Sequence, residues 1–328
     1  MKNLFFIFFF VTGIVADGLS QRKDAFVSME DSIIRLHHNI ISENNSILRY
    51  QQNEQLLSLL EETLKMKNSM AYPFDKIKTI SVLTSKDKKI RIFTWYLIDN
   101  QNFHEYYGFI QTYNEEKKEY RLSSLTDKWR KIDNPEAQML TSGNWYGALY
   151  TEIIEIESST KKYYTLLGWN GGDIFSQCKL IEVLYVNNKG VPSFGANIIK
   201  GYSKARILRV VFQYAKNSYF TLHYDNQIYS KKSDKRDKKT KKYITDSISC
   251  EMIVFNRLIP MDESLQSIPQ FLVGEASIND AFVEKDGKWV FHPNIIARNP
   301  ERSAPKNNSE KHLPKEKINS RSLYIPVE

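Results

Sequence analysis

Between Asp24 and about Met70, apolar residues recur at spacings near three, four and seven: Ile33, Leu36, Ile40, Ile47, Leu56, Leu60 and Leu64. Glu, Gln, Asn and Lys fill the positions between them, the pattern of amphipathic helices. The polar stretch Ser42 to Ser46 predicts a turn between two helices, and Pro73 ends the run. After Pro73 the texture changes to β-branched and aromatic runs separated by polar turns. Ile77 to Leu83 and Ile90 to Ile98 flank Ser85 to Lys88, which predicts a hairpin. Tyr106 to Tyr113 and Tyr120 to Leu122 flank Asn114 to Lys118, which predicts another. Further strands are predicted at Ala148 to Ile156, Tyr163 to Trp169, Leu180 to Val186, Ile207 to Tyr214, Ser218 to Tyr224 and Ile248 to Phe255. Phe282 to Glu284 and Lys288 to Phe291 surround Asp286-Gly287, a dipeptide suited to a tight hairpin turn. Many strands at hairpin spacing, with few helical patterns between them, argue for antiparallel sheets rather than βαβ units. The expected class is mainly β, with antiparallel sheets in a sandwich or open barrel-like arrangement, preceded by an α-helical amino-terminal segment. No fixed repeat period emerges that would support a propeller.

The two ends differ from this body. Met1-Lys2-Asn3 is a short basic start, Leu4 to Val11 is unbroken apolar, and Ala16-Asp17-Gly18 offers small residues where a signal peptidase reads. The stretch Leu4 to Ala16 has 13 residues, and a helix needs about 17 to 25 to span a bilayer. These features predict a signal peptide at 1–18, then a helical segment at 19–73 and a β domain at 74–298. The segment 299–328 scatters Pro300, Pro305, Pro314 and Pro326 among polar residues and is expected to be disordered.

The chain of 328 residues carries a formal charge of +8, but Lys231 to Lys242 (KKSDKRDKKTKK) holds eight Lys or Arg against two Asp. The basicity is therefore local. This segment reads as a solvated hairpin tip or as a weak contact with anionic surfaces, and export argues against nucleic acid as its partner. Export also allows a disulfide between Cys178 and Cys250. Both cysteines lie in otherwise apolar stretches, so two separately buried thiols fit equally well.

Several stretches in order carry a resemblance: Ser85 to Trp95 (SKDKKIRIFTW), Asn144 to Tyr150 (NWYGALY), Tyr163 to Gly171 (YYTLLGWNG), Val191 to Ala196 (VPSFGA), Met252 to Leu258 (MIVFNRL) and Asp286 to Trp289 (DGKW). Together they resemble a family of exported Bacteroidetes proteins to which no activity is assigned. The resemblance spans about Ile77 to Ala297 and implies a β-rich protein of the cell envelope. It carries over no catalytic residue. Asn170 stands where the family pattern leads one to expect an acid, and the basic insertion at Lys231 to Lys242 is longer than usual.

Leu167 to Asp173 (LGWNGGD) holds the densest turn chemistry. Its glycines permit close backbone approach, Asn170 and Asp173 supply oxygen ligands, and Trp169 supplies a flat face. A ligand-binding loop and a plain strand connection both fit, and the spacing does not match an EF-hand. Trp95, Tyr96, Trp145, Tyr146 and Trp169 form a candidate glycan-stacking set, against the alternative that they are core residues. Because Trp145-Tyr146 lies between Thr141-Ser142-Gly143-Asn144 and Gly147, at least one of its rings is expected near the surface. No G-x-S-x-G, H-E-x-x-H or S-x-x-K signature with supporting context is present. His37-His38 point about 100° apart on a helix and cannot readily chelate one ion. His104, His223 and His292 have no partner recognisable by spacing, and carboxylate pairs such as Glu152/Glu155 and Asp262/Glu263 are ordinary surface features. No metal site and no cofactor is expected. The sequence points to a periplasmic or secreted, non-enzymatic binding or interaction module for an envelope polysaccharide or a protein partner. An envelope hydrolase with a site assembled from distant strands is the competing class, and a structural envelope protein that associates through its helical arm is a third.

Overall fold

The computed structural model describes residues 11–295 apart from 160, 237, 241, 242 and 267, with no side chains described at 11–23, 230–235 and 244–246. Residues 1–10 of the expected signal peptide and the expected disordered tail lie outside these residues, while 11–18 fall within the first helix. Helices α1 (Val11–Ser42) and α2 (Ser46–Lys65) form an antiparallel hairpin. Their polar break is the predicted turn, where Asn45 Oδ1 caps α2 by accepting from the amides of Ile47 (2.9 Å) and Leu48 (3.2 Å). The buried seam of α1 runs Phe26, Glu30, Ile33, His37 and Ile40, a spacing of alternating four and three. His38 faces solvent, so the two adjacent histidines diverge. No helix among the described residues is long and apolar enough to cross a membrane.

Fifteen strands follow among the described residues. The first sheet runs β1 (Ser81–Thr84), β2 (Ile90–Ile98), β3 (His104–Asn114) and β4 (Glu119–Thr126), antiparallel in sequence order. Then come β5 (Leu140–Thr141), β6 (Leu149–Glu157), β7 (Lys162–Asn170), β8 (Ser176–Val186), β9 (Pro192–Phe194), β10 (Ile199–Lys200) and β11 (Val210–Ala215). The second sheet has the order β5-β9-β8-β7-β6, with β11 also paired to β8. The last four are β12 (Leu222–Arg236), β13 (Tyr243–Pro260), β14 (Leu272–Lys285) and β15 (Lys288–Ile295). They form the third sheet, β10-β15-β14-β13-β12, in which only the short β10 pairs in parallel. None of the three sheets closes into a barrel. The three predicted hairpins are present, and Asp286 (φ 52°) and Gly287 (φ 73°) make the positive-φ turn that their dipeptide favours. The predicted strand at Ile77 begins only at Ser81, and β5, β9 and β10 are two- or three-residue strands too short to leave a pattern.

Alternation along the strands stacks these pieces into layers. On β2, Phe93, Trp95 and Leu97 face the helices in one core with Ile33, Leu56 and Leu60, while Ile90 and Ile92 face the second sheet. Leu166, Leu180 and Leu184 of the second sheet meet them, and Leu167, Ile181 and Val183 pack on Ile253, Phe255, Phe282 and Trp289 of the third. Strands buried on both faces read as continuous apolar runs, which is why β2 lacks polar alternation.

Polar pins lock the layers. Arg91, 1% exposed, donates to Gln111 Oε1, to the carbonyl of Tyr72 (2.6 Å) and to that of Ser69 (2.8 Å), and it lies over the rings of Phe74 and Phe93. The exit of α2 is thereby fastened to the first sheet. Burial lowers the Arg91 guanidinium to a pKa of about 10. Trp95 Nε1 donates to Asn53 Oδ1 of α2 at 2.8 Å, and Trp289 Nε1 to Thr165 Oγ1 at 2.8 Å, joining the third sheet to the second. Arg209 and Glu182 are both fully buried. Arg209 Nε donates to Glu182 Oε2 (2.9 Å), and its other nitrogens donate to the carbonyls of Pro135, Gln138 (2.8 Å) and Phe194 (2.9 Å).

Cys178 and Cys250 are free, so the candidate disulfide is not formed. Cys178 points into the core between the first and second sheets, whereas Cys250 packs against the far face of the third. β12 and β13 pair as far as Arg236 and Tyr243, and of the basic segment Arg236, Lys238 and Lys239 are exposed, while 237, 241 and 242 lie outside the described residues.

Removing Arg209 while leaving Glu182 would strand a buried carboxylate. Arg209→Met is expected to destabilise the fold by about 3–5 kcal/mol, read from urea unfolding, with Glu182→Leu/Arg209→Met costing less than Arg209→Met alone. A loss below about 1 kcal/mol would show that the pair is not what holds this junction.

Candidate functional site

The residues singled out from the sequence do not assemble into one open surface. Trp145 is fully buried, its Nε1 donating to the Tyr150 hydroxyl at 2.9 Å, and Tyr146 is 7% exposed with its hydroxyl 3.8 Å from Cys178 Sγ. The expectation that one of these rings lies near the surface is therefore corrected. Polar and glycine neighbours suggested an exposed turn, but they form a strap closing the end of β4. The Trp145 amide donates to the carbonyl of Thr126 (3.0 Å), and its own carbonyl accepts from Lys128 (2.8 Å). Gly147 permits this closure because a Cβ there would sit 2.4 Å from the Asp127 carboxylate. Trp95 is also core, 1% exposed.

Asn170 is buried and structural. Its Oδ1 accepts from the Gly172 amide (2.7 Å), and its Nδ2 donates to the Gly147 carbonyl (2.6 Å). Asp173 Oδ1 accepts from the amides of Phe175 (2.7 Å) and Ser176 (2.8 Å), closing the turn into β8. The loop from Leu167 to Asp173 thus has the bonding of a strand connection. Trp169 is half-buried, with Nε1 donating to Gln177 Oε1 (2.9 Å) and its ring edge-on to Tyr96 and His104. His104 is itself buried, which lowers its pKa, and Lys216 adds to the effect. Burial likewise lowers His223, and the His292 ring lies tilted against Tyr229, with centroids 4.8 Å apart. Among the described residues, no group of three or more His, Cys, Asp or Glu could hold a metal ion.

An open cleft lies elsewhere, where the first sheet meets α2. A cleft of about 600 Å³ is walled by Leu57 of α2, by Glu105 to Tyr107 of β3, and by Ser124 to Lys131, which leave β4 and enter a short 3₁₀ turn (Trp129–Lys131). The turn is organised by Asp127. Its Oδ1 accepts from the amides of Trp129 (2.9 Å) and Gly147 (3.2 Å), and its Oδ2 from that of Tyr106 (3.0 Å). One carboxylate therefore joins β3, the strap and the turn. Burial raises its pKa to about 6, against the downward pull of the three amides. Trp129 is half-buried, with Nε1 anchored on the His104 carbonyl at 2.9 Å, so its indole is fixed in the wall. Glu105 Oε2 accepts from the hydroxyls of Tyr50 (2.8 Å) and Tyr107 (3.3 Å). Burial, reinforced by Glu105, lifts Tyr50 to about 12. Arg130 lies over the Phe103 ring at 3.9 Å, with Asp99 3.6 Å away.

A second cleft, about 190 Å³, lies between Lys89, Tyr113, Lys161, Lys162 and Tyr185. Lys162 there reaches Asp87 at 2.9 Å and Glu155 at 2.7 Å, Lys89 pairs with Glu115 at 2.5 Å, and Lys161 lies over the Tyr185 ring at 4.8 Å. Burial would raise Asp87, but the Ser85 hydroxyl, Lys162, the Lys89 amide and the Tyr164 hydroxyl hold it at about 2.

The residues of the large cleft were not singled out in the sequence, although Asp127-Lys128-Trp129-Arg130-Lys131, an indole among cations behind a turn-forming acid, was a legible signal. No family model matches the chain, and neither a curated protein nor a solved structure resembles it closely enough to count as a relative.

Asp127 has a folded-state pKa above its ordinary 3.8, so its stabilising contribution is complete below that value and is lost as pH rises through about 6. Relative to Asp127→Asn, which does not titrate, the wild type is expected to lose on the order of 2 kcal/mol between pH 4 and pH 8 in chemical denaturation. Parallel curves would remove the buried-carboxylate assignment.

Proposed function

We propose that the protein is an exported cell-envelope protein that acts by binding, and that its ligand is a glycan chain taken up in the cleft beside Trp129. The observation that carries this reading is the fixed, half-buried indole of Trp129 in an open cleft of about 600 Å³. Ligand clefts commonly have this size, with aromatic walls and a few placed polar groups. Here Tyr107 supplies a second ring, and the exposed Ser124 and Thr126 supply hydroxyls. Export is supported by the apolar run from Leu4 followed by Ala16-Asp17-Gly18, and by the resemblance of residues 77–297 to exported Bacteroidetes proteins.

A hydrolase is the second reading. It is favoured by two carboxyl groups, Glu105 and Asp127, on one cleft, the latter with a pKa of about 6. General acid–base work needs a carboxyl free to exchange a proton with the substrate. Both oxygens of Asp127 already accept from backbone amides, which weighs toward binding.

In cell fractionation, the protein is expected outside the cytoplasm with its amino terminus at Leu19, checked by intact mass. Retention of residues 1–18 in the cytoplasm would overturn the compartment. In a screen of residues 19–328 against envelope polysaccharides, Trp129→Ala is expected to weaken glycan affinity about tenfold or more, a loss of about 1.4 kcal/mol. Trp169→Ala is expected to leave it within about threefold. Release of reducing ends that is lost in Glu105→Gln would replace binding with hydrolysis.

A further inference from the structure

The same cleft has a charge pattern that narrows the ligand class, and the inference rests on the glycan-binding reading. Its two acids are committed to protein groups: Asp127 to three amides, Glu105 to two tyrosine hydroxyls. Its bases are not equally committed. Arg130 has Asp99 and the Phe103 ring. Lys128 and Lys131 have neither an ion pair nor a side-chain hydrogen bond to any described residue, yet both line the cleft. They stand at the two ends of one tight turn, closed by the Lys131 amide donating to the Lys128 carbonyl at 2.8 Å, with Trp129 between them.

Three cations fall within four residues, Lys128 half-buried and Arg130 and Lys131 exposed, and like charges this close repel one another. In the smaller cleft, by contrast, Lys162 is neutralised in place by Asp87, Glu155 and Glu157, and Lys89 by Glu115, while Lys161 lies over the Tyr185 ring. From this contrast we infer that the cleft binds an acidic glycan, one whose sugars carry carboxylate or sulfate groups, with the ring against Trp129 and the anionic groups facing Lys128 and Lys131. Lysine is a flexible point charge that matches either anion without a fixed fork. The shared chemistry is therefore a negatively charged sugar.

The test uses residues 19–328 and four polymers: polygalacturonate, its methyl-esterified neutral form, dextran sulfate and neutral dextran. Affinities are measured at about 20 and 300 mM salt, since screening weakens exposed charge pairs. At least one acidic polymer is expected to bind about tenfold tighter than its neutral counterpart at low salt. Whether polygalacturonate or dextran sulfate responds separates carboxylate from sulfate. Lys128→Gln/Lys131→Gln is expected to abolish most of that preference while leaving neutral-polymer affinity in place, whereas Trp129→Ala weakens both. A second variant replaces the basic residues between Lys231 and Lys242 with Gln. If that variant, rather than the cleft variant, removes the preference, the acidic selectivity belongs to the hairpin and the inference falls. Equal binding of acidic and neutral polymers also overturns it while leaving the glycan reading intact. Silence toward all four, and toward the envelope polysaccharides of the screen, removes both.

Discussion

A sheet that is covered on both faces has no water to satisfy any polar group projecting from it, and the inner two sheets of this protein are in that position. The helices cover one face of the first sheet, the third sheet covers one face of the second, and the first and second cover each other. Every charge placed inside must then find its partners in protein. Arg209 does so with one carboxylate and three carbonyls, and Arg91 with a glutamine, two carbonyls and two aromatic faces. Four of the five carbonyls belong to connections, at Pro135, Gln138, Ser69 and Tyr72, and the fifth is that of Phe194 in β9. These arginines thus fix the irregular chain that the sheets alone would leave unplaced.

The cleft inherits its rigidity from the same economy of partners. It opens where β4 leaves the first sheet, and its mouth is shaped by one acid. Asp127 gathers amides from β3, the strap and the following turn. Trp129 is in turn fastened to the backbone of His104, a residue packed against Tyr96 and Trp169. A wall built this way presents its indole with little conformational freedom left to lose on binding. The lysines beside it keep theirs.

Hairpins and the helical segment were legible because their signals are local: helical spacing, polar turns and an Asp-Gly pair. Layering was not, since nothing in the run of β2 says which apolar residue faces a helix and which faces another sheet. The same limit explains the aromatic residues. Trp145 stands among Ser, Gly and Asn, and only the long-range pairing of its backbone with Thr126 and Lys128 turns that polar stretch into a lid over its own indole. Asn170 looked like a ligand because an amide side chain suits either a ligand or a turn. The neighbouring carbonyl of Gly147 decides which. The cleft drew no attention because its signal was an aromatic residue among lysines, which in isolation resembles any charged surface.

Cys178 gives the fold a property that none of its hydrogen bonds provides. Its thiol is 5% exposed, and burial pushes its pKa to about 12, so at neutral pH almost none of it is thiolate, the form that reacts. The intact core therefore protects this sulfur kinetically. The rate at which a maleimide captures it is then a clock for how often the packing between the first two sheets breathes open.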